Sequence, residues 1–367
     1  MSATAALERA GIQIGGARPF DIQLHDRSAL YAYAARGLLG AFQAYVDGAW
    51  DAERLDEVAY RFLCSNGDVM QSSWRDTVWR AAVGLIANVQ GGRRGVEVAR
   101  HYDLGNDLFE AMLDPRMVYS CAYWDDAATL AEAQERKLDL VCRKLHLEPG
   151  MRVLDIGGGW GSFAKYAAER YGVRVVATTI SQAQEDYARA NCRGLPIEIR
   201  LQDYRDMCGG ERFDAAVSIG MFEHVGYKNY ARYFEIVRRN LAPGALFLLH
   251  TIGGRTSQTS YDPWFDQNIF PNAHIPSARQ ITNAAEGLFL VEDWHDIGVH
   301  YDRTLLAWYD NFERAWPALR AHYGERFYRM WRCYLLASAG AFRARYLHTW
   351  QVVLGGTGRL DGYRASR

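Results

Sequence analysis

The chain has 367 residues, of which 49% are hydrophobic and 23% are charged. A chain with this much apolar side chain buries a large core, which excludes a disordered protein, and its length favours two domains. Lysine and arginine number 42 against 43 aspartate and glutamate, so the net charge is −1. This balance excludes the basic surface that is typical of nucleic-acid binders, and we expect no nucleic-acid partner.

Residues 1–90 are predicted to form a small mixed domain. Short apolar runs, such as 20–24, alternate there with segments of helical periodicity, such as 29–42. The polar, glycine-rich stretch that follows interrupts every periodicity, so a linker is predicted over residues 91–98. Residues 99–367 are then predicted to be the catalytic domain.

The first part of that domain alternates short β-rich runs with helical segments, as a parallel sheet with both faces covered by helices requires. The predicted strands are 153–156, 174–179, 197–201, 213–219 and 245–250, and the helices between them are 163–171, 183–192 and 230–240. This alternation predicts a doubly wound α/β sheet. Residues 301–345 are helix-rich and aromatic, and they are predicted to form a helical lid over a pocket.

The chain shows no sequence signal for secretion, for a membrane span or for a metal site. Its first eleven residues have neither a basic start nor an apolar run, which predicts a cytoplasmic protein. The longest stretch without Asp, Glu, Lys or Arg, 240–254, contains Pro243 and is too short to cross a bilayer. The six cysteines lack CxxC spacing, so we expect reduced thiols and no bound metal.

A glycine-rich turn joins the first predicted strand to the following helix. It reads VLDIGGGWG at 153–161, and its glycines let the backbone approach a ligand at the carboxyl end of the strand. Glycines alone do not distinguish a binding loop from a tight structural turn. The spacing of Gly157, Gly159 and Gly161 is not the GxGxxG of dinucleotide sites, so S-adenosylmethionine is favoured over a dinucleotide.

Polar residues after the first three strands suit the same cofactor. Asp155 precedes the glycines and is placed to orient the loop or to bind an ammonium group. After the third strand, Asp203 and Tyr204 offer an acceptor and a ring to an adenine. The second strand ends without the acidic residue that usually binds ribose hydroxyls, so Ser181 and Gln184 are predicted to serve there.

Several sequence blocks follow one another in a fixed order along nearly the whole chain. They are HYDLGND at 101–107, YSCAYW at 119–124, the glycine loop, TISQAQ at 179–184, LQDYRD at 201–206, GMFEHVG at 220–226, LHTIG at 249–253, EDWH at 292–295 and AGAFRAR at 339–345. Together they resemble the cyclopropane-fatty-acyl-phospholipid synthases and the related mycolic acid cyclopropane synthases. The segment from 10 to 50 also resembles an extra N-terminal domain of the bacterial phospholipid enzymes, which makes phospholipid the expected substrate class.

The resemblance implies a Rossmann-like, class I S-adenosylmethionine-dependent methyltransferase with two sets of site residues. The cofactor set falls on Tyr119, Ser120, the loop 157–161, the stretch 179–184 that begins with Thr179, and the stretch from Gln202 to Tyr204. A bicarbonate cage falls on Cys121 through its backbone, Glu223, His250 and Tyr301. Ser338 stands where the family usually has cysteine, and Gly158 stands where cysteine is common.

The implied reaction transfers a methylene group from S-adenosylmethionine to the cis double bond of an unsaturated phospholipid acyl chain. It forms a cyclopropane, and the bound bicarbonate serves as the base. Ser338 leaves open a related lipid C-methyltransferase that gives a methyl-branched or methylene product, and a catalytically inactive lipid-binding paralogue is a third reading. Either Glu223 or His250 alone would more often be structural, so their joint presence favours an enzyme.

The substrate implies transient contact with a membrane surface. We expect a cytoplasmic protein that is peripheral to the inner face of the membrane, with the N-terminal domain adding membrane contact and a homodimer interface. The aromatic segment 261–271 is either an interfacial element or a core-packed insertion, and the sequence leaves both open.

Overall fold

The structure is a computed structural model that describes residues 2–71, 105–259, 262–359 and 362–367. These residues divide into two compact units. Unit 1 consists of the described residues within Met1–Ala87, Thr259–Pro271 and Tyr301–Leu347. Unit 2 consists of the described residues within Asn88–Gln258, Asn272–His300 and His348–Arg367. The predicted linker, 91–98, lies outside the described residues, so the domain boundaries stay predictions. Two segments that the sequence assigned to the catalytic domain belong to unit 1.

The described helices and strands are named here in chain order. They are α1 (Ala3–Arg9), β1 (Gln23–Leu24), α2 (Ser28–Val46), β2 (Trp50–Asp51), α3 (Leu55–Gln71), α4 (Asn106–Met112), α5 (Leu130–Lys144), β3 (Arg152–Ile156), α6 (Ser162–Tyr171), β4 (Arg174–Thr179), α7 (Gln182–Asn191), β5 (Ile197–Leu201), β6 (Phe213–Ile219), α8 (Tyr230–Asn240), β7 (Leu241–Gly254), α9 (Pro263–Asn268), α10 (Ala278–Ala285), β8 (Leu290–Asp296), α11 (Val299–Arg343) and β9 (Leu347–Gly355). Within these described parts, no helical segment combines the length and hydropathy that a bilayer span needs.

Unit 2 contains a seven-stranded sheet with the order β5-β4-β3-β6-β7-β9-β8. The pairs β3–β4, β4–β5, β3–β6 and β6–β7 are parallel, whereas β8 and β9 pair antiparallel at the far edge. The predicted α/β class is confirmed, and each of the five predicted strands is present. The chain order reverses between β3 and β6, which creates the switch point where open α/β sheets bind ligands.

Apolar side chains alternate between the two faces of this sheet and give each face its own core. On β3, Val153 packs into the core that α5 and α6 cover, whereas Leu154 and Ile156 pack into the core that α8 and α10 cover. With both faces buried, the edge at the carboxyl ends of the strands is where polar groups can meet a ligand.

Unit 1 holds the small β1–β2 pair, the first three helices and the described parts of the two later segments. Its α11 belongs to the helix-rich segment that the sequence predicted, and it is interrupted at Gly324, where φ is 76°. Within the segment 261–271, Trp264 and Ile269 are buried, and the Trp264 ring lies 5.2 Å from Phe42. For these two side chains the structure supports the core-packed alternative rather than exposure to lipid.

Candidate active site

A pocket in unit 2 lies at the carboxyl edge of the parallel strands. Its lining includes the ends of β3, β4 and β6 and the residues that follow β5. The adjacent strands β3 and β6 enclose the switch point of the sheet, so the pocket lies where this fold class binds its ligands.

The loop after β3 forms one wall of this pocket from backbone. Gly157, Gly159 and Gly161 have φ values of 79°, 55° and 83°, a left-handed conformation that costs glycine nothing. A Cβ atom on Gly157 would also lie 2.7 Å from the side chain of Met221. Glycine is therefore required where the loop faces the pocket.

The pocket gathers the predicted cofactor residues except Gly161. Those in its lining are Tyr119, Ser120, Asp155, Gly157, Gly159, Thr179, Ser181, Gln184, Gln202, Asp203 and Tyr204. Gly161 instead precedes α6 as its N-cap residue, where a Cβ atom would lie 2.9 Å from Cys192 Sγ. This glycine permits close packing of α6 against the end of α7, a role that the sequence did not suggest.

A short hydrogen-bond network fixes the wall that follows β4. Thr179 Oγ1 donates to Gln184 Oε1 at 2.8 Å, and Ser181 Oγ accepts from the Gln184 backbone N–H at 3.3 Å as the N-cap of α7. The carbonyl of the Gln184 amide is thereby engaged, so its N–H₂ group is the part that faces a ligand as a donor.

Asp203, which is predicted to offer an acceptor to an adenine, already binds two groups of the protein. Its carboxylate accepts the Arg205 backbone N–H at 2.9 Å and forms an ion pair with Arg205 Nη2 at 2.7 Å. The neighbouring Tyr204 ring is buried and lies edge-on to Tyr233, with ring centroids 5.1 Å apart. A ligand would share the Asp203 carboxylate with Arg205.

Asp155 places a buried carboxylate beneath the glycine loop. The residue is 1% exposed, and among the described residues its Oδ2 has no hydrogen-bond partner. Burial raises the pKa of Asp155 to about 7, and the nearby positive charge of Lys137 opposes that rise. A buried carboxylate oxygen that no protein group satisfies favours a cationic ligand.

Lys137 also lines the pocket, although it was not predicted from the sequence. Its side chain is fully buried, and Nζ donates to Ser120 Oγ at 2.9 Å. Burial lowers the pKa of Lys137 to about 8, while Asp114, Cys121 and Asp155 act in the opposite direction. The sequence does contain one sign that Lys137 is buried. It lies four residues from both Ala133 and Val141, so helical spacing places it on the same buried face of α5.

Glu223 lies on the turn after β6, beside β7. Its Oε1 accepts the Ile252 backbone N–H at 2.6 Å, and among the described residues its buried Oε2 has no hydrogen-bond partner. Burial raises the pKa of Glu223 to about 7, and the bond from Ile252 partly offsets this rise. The carboxylate thus meets β7 two residues beyond His250 and presents one unsatisfied oxygen.

His250 is held on β7 by pairing with β6 and by a contact from β9. Its carbonyl accepts the Gly220 N–H at 2.9 Å, and its Nδ1 lies 3.4 Å from Nε2 of the buried Gln351. Burial lowers the pKa of His250 well below its usual value, so the ring is neutral. With Gln351 as the donor, Nδ1 accepts and the ring proton lies on Nε2. Gln351 was not predicted.

The remaining predicted catalytic residues lie in different units. Cys121 is buried in unit 2, with Sγ 3.3 Å from the Ala122 carbonyl and 3.7 Å from that of Ile297. Tyr301 and Ser338 are buried on α11 in unit 1, where the Tyr301 ring is also 4.5 Å from that of Phe342. The cage that would join Tyr301 to the unit 2 residues therefore stays a prediction.

Comparison with known proteins agrees with this geometry. Residues 91–352 match the family described as Mycolic acid cyclopropane synthetase. The chain is 48% identical over 367 residues to the cyclopropane-fatty-acyl-phospholipid synthase of Escherichia coli (strain K12), covering 100% of this chain and 95% of that protein. It also resembles the structure of the cyclopropane synthase MmaA2 from Mycobacterium tuberculosis, with a TM-score of 0.68, 31% identity and coverage of 72% and 99% of the two chains. The mycolic acid cyclopropane synthase CmaA1 complexed with SAH and CTAB gives a TM-score of 0.66 and 32% identity, covering 71% and 98%.

The sheet order and the glycine-walled pocket, with these likenesses, define the protein as an S-adenosylmethionine-dependent methyltransferase. The class is set by the fold and by the position of the pocket at its switch point. Within that class, the chain belongs to the mycolic acid cyclopropane synthetase family.

The pocket residues fit S-adenosylmethionine. The unsatisfied Asp155 oxygen suits a cationic group, and the wall at Gly157 has no room for a side chain. Gln184 presents a neutral donor, and Lys137 places a positive charge behind Ser120. A molecule with both cationic and anionic groups at one end matches this arrangement.

A methyl group on Gly157 should weaken S-adenosylmethionine binding about tenfold or more. Gly157 has a φ of 79°, and a Cβ atom there would lie 2.7 Å from the Met221 side chain, so the loop would have to move. Titration calorimetry on Gly157→Ala measures the effect. Gly210→Ala is the matched control, because nothing lies within 4 Å of a Cβ atom at Gly210. Equal affinity of both variants would mean that the conformation of the loop does not matter for binding.

Proposed function

We propose that this protein forms cyclopropane rings on unsaturated phospholipid acyl chains, using S-adenosylmethionine as the carbon donor and bound bicarbonate as the base. The full-length identity to the Escherichia coli protein supports phospholipid as the substrate class, because it includes the residues before 91 that the family match leaves out. The observation that carries the chemical proposal is the buried, unsatisfied Oε2 of Glu223, whose Oε1 bonds to β7 two residues beyond the neutral His250.

S-adenosylmethionine, when bound, supplies an electrophilic carbon to the alkene. The residues of this chain hold the cofactor at the carboxyl edge of β3 and β4, where Asp155 and Ser120 line the pocket. An isolated alkene is a weak nucleophile, so alignment with the cofactor in a pocket that excludes water speeds the transfer. The aliphatic and aromatic lining, such as Phe163 and Trp160, is suited to that exclusion.

Bicarbonate, when bound, would remove a proton from the transferred carbon and so allow the ring to close. Glu223 would hold it by accepting its hydroxyl proton, since Oε2 is the unsatisfied oxygen. His250 would donate from Nε2, because Nδ1 faces the Gln351 amide. The Cys121 backbone and Tyr301 complete the proposed cage. A small anion is a better base here than a side chain, which could itself attack the cation.

The proposal also covers the cellular location and the oligomeric state of the enzyme. A substrate within a bilayer requires contact with the membrane surface, and we place the protein in the cytoplasm, peripheral to the inner face of the membrane. We assign membrane contact and homodimer formation to the N-terminal domain, residues 1–90, with the linker at 91–98 and the catalytic domain at 99–367. Flotation with vesicles and analytical ultracentrifugation test these two parts separately.

The reaction is tested with vesicles of unsaturated phospholipid and S-adenosylmethionine labelled in its methyl group. Mass analysis of the acyl chains should show the gain of one methylene and the loss of the double bond, and the rate should depend on added bicarbonate. A methyl-branched or methylene product would instead favour the reading that Ser338 allows. No product with or without bicarbonate would favour an inactive lipid-binding protein.

The rate of ring formation should rise with pH through about 7. Burial raises the pKa of Glu223 to about 7, and only the ionised carboxylate accepts a proton from bicarbonate. The ionised fraction therefore grows as the pH increases across neutrality. Initial rates at saturating cofactor and bicarbonate measure the profile. A rate that stays flat or falls across this range would contradict the assigned role.

A further inference from the structure

Lys137 is a buried cation in the wall of the cofactor pocket for which the proposed reaction has no use. It lies on α5 with no exposed surface, and both Lys137 and its hydrogen-bond partner Ser120 line the pocket. Burying an ammonium group costs free energy unless it is paired. A buried lysine in this position therefore indicates that its charge has a function in the pocket.

The charges around Lys137 leave one carboxylate unsatisfied. Asp114 is occupied by the backbone N–H groups of Arg116 and Val118, at 3.0 and 2.9 Å. Asp155 Oδ2 has no hydrogen-bond partner among the described residues, whereas Lys137 Nζ donates to Ser120 Oγ. The pocket thus holds a positive and a negative group that are close enough to interact but are not directly paired.

A ligand with an ammonium and a carboxylate at one end complements two such groups, and the methionine end of S-adenosylmethionine has both. Because Nζ has no exposed surface, it acts through its neighbours, by fixing the Ser120 hydroxyl and by favouring the ionised form of Asp155. We propose that Lys137 is a positioning residue for S-adenosylmethionine, setting the Ser120 hydroxyl and the charge of Asp155 before the cofactor binds. This inference rests on the cofactor part of the proposed function and not on bicarbonate.

The experiment compares Lys137→Met with Lys144→Met by titration calorimetry with S-adenosylmethionine. Both lysines are fully buried on α5, but Lys144 pairs with Asp293 at 3.4 Å and is not part of the pocket lining. Lys137→Met should bind the cofactor about tenfold to a hundredfold more weakly, and Lys144→Met should keep the wild-type affinity. Equal affinity of Lys137→Met and the wild type would overturn the inference.

The pH dependence of binding separates positioning from mere packing. The groups that act on Lys137 are Asp114, Cys121 and Asp155, and the charge that acts on Asp155 is that of Lys137. Affinity for the wild type should rise as Asp155 ionises through about pH 7. In Lys137→Met the midpoint should move to higher pH, because the cation that favours the carboxylate is gone. An unmoved midpoint would show that Lys137 only fills space.

Two further variants keep the inference open to refutation if Lys137→Met folds poorly. Lys137→Gln retains a donor for Ser120 but has no charge, so it should shift the pH midpoint and lose less affinity at high pH. Ser120→Ala should lose affinity, and its loss should not add to that of Lys137→Gln, because the two residues act as one unit. Additive losses would contradict action through Ser120. Failure of the wild type to bind S-adenosylmethionine would instead refute the proposed function.

Discussion

Replacement of Glu223 by glutamine should lower the rate of cyclopropane formation about a hundredfold or more while S-adenosylmethionine binding stays unchanged. The substitution keeps the shape of the side chain and the bond from the Ile252 N–H, which Oε1 accepts at 2.6 Å. It replaces the unsatisfied Oε2 acceptor by an amide donor, or turns the amide so that the Ile252 bond is lost. In either orientation the site loses the group that accepts the bicarbonate hydroxyl proton.

The measurement pairs labelled methyl transfer with calorimetry on the same preparation. Glu286→Gln is the matched control, since Glu286 is exposed and lies outside the pocket lining. If Glu223→Gln retains wild-type rates at limiting bicarbonate, the carboxylate has no part in holding the base. If it loses cofactor affinity in parallel with rate, the residue supports the cofactor pocket instead.

Replacement of Phe222 by alanine should lower the free energy of unfolding by about 3–5 kcal/mol. Phe222 is fully buried, stacks on Tyr230 with ring centroids 4.3 Å apart and meets Tyr233 edge-on at 5.3 Å. The alanine variant removes these contacts and leaves a cavity beneath the turn that carries Glu223. Loss of activity should accompany the loss of stability.

Urea unfolding measures the change, with Leu290→Ala as the control. Leu290 is 57% exposed on β8, so its truncation should change the free energy of unfolding by about 0.5 kcal/mol or less. A loss below about 1 kcal/mol for Phe222→Ala would mean that the surrounding rings close the cavity. The turn would then not depend on the aromatic cluster for its position.

The parallel part of the sheet could be predicted closely, because each buried strand is a local apolar run between turn signals. Strands β4, β5 and β6 begin and end where the sequence placed them. Strand β7 is longer than the predicted strand 245–250, which begins after Pro243. In the structure β7 already begins at Leu241, and its pairing with β6 changes register between Leu241 and Leu246. The last two strands of the sheet, β9 and β8, were missed because they are stabilised by pairing with distant segments and not by a local pattern.

The candidate site also contains both residues that could be predicted from the sequence and residues that could not. The glycines and Asp155 could be predicted because strand, loop and helix are contiguous in the chain. Gln351 could not, because a glutamine on β9 becomes part of a site only when tertiary packing buries it. For Lys137, helical spacing indicates a buried face of α5, but only tertiary packing brings that face to the pocket. Gly161 was assigned to the cofactor although its close neighbour is Cys192, a contact between elements that spacing does not reveal.

The wall at Gly157 and Gly159 has a consequence for engineering this enzyme. A surface built from main-chain atoms has no side chain to enlarge or trim, and the left-handed backbone resists substitution at either position. Libraries that seek new acyl acceptors should therefore leave this loop constant and vary other parts of the chain. Variants from such libraries would then still bind S-adenosylmethionine, while their preference among acyl chains changes.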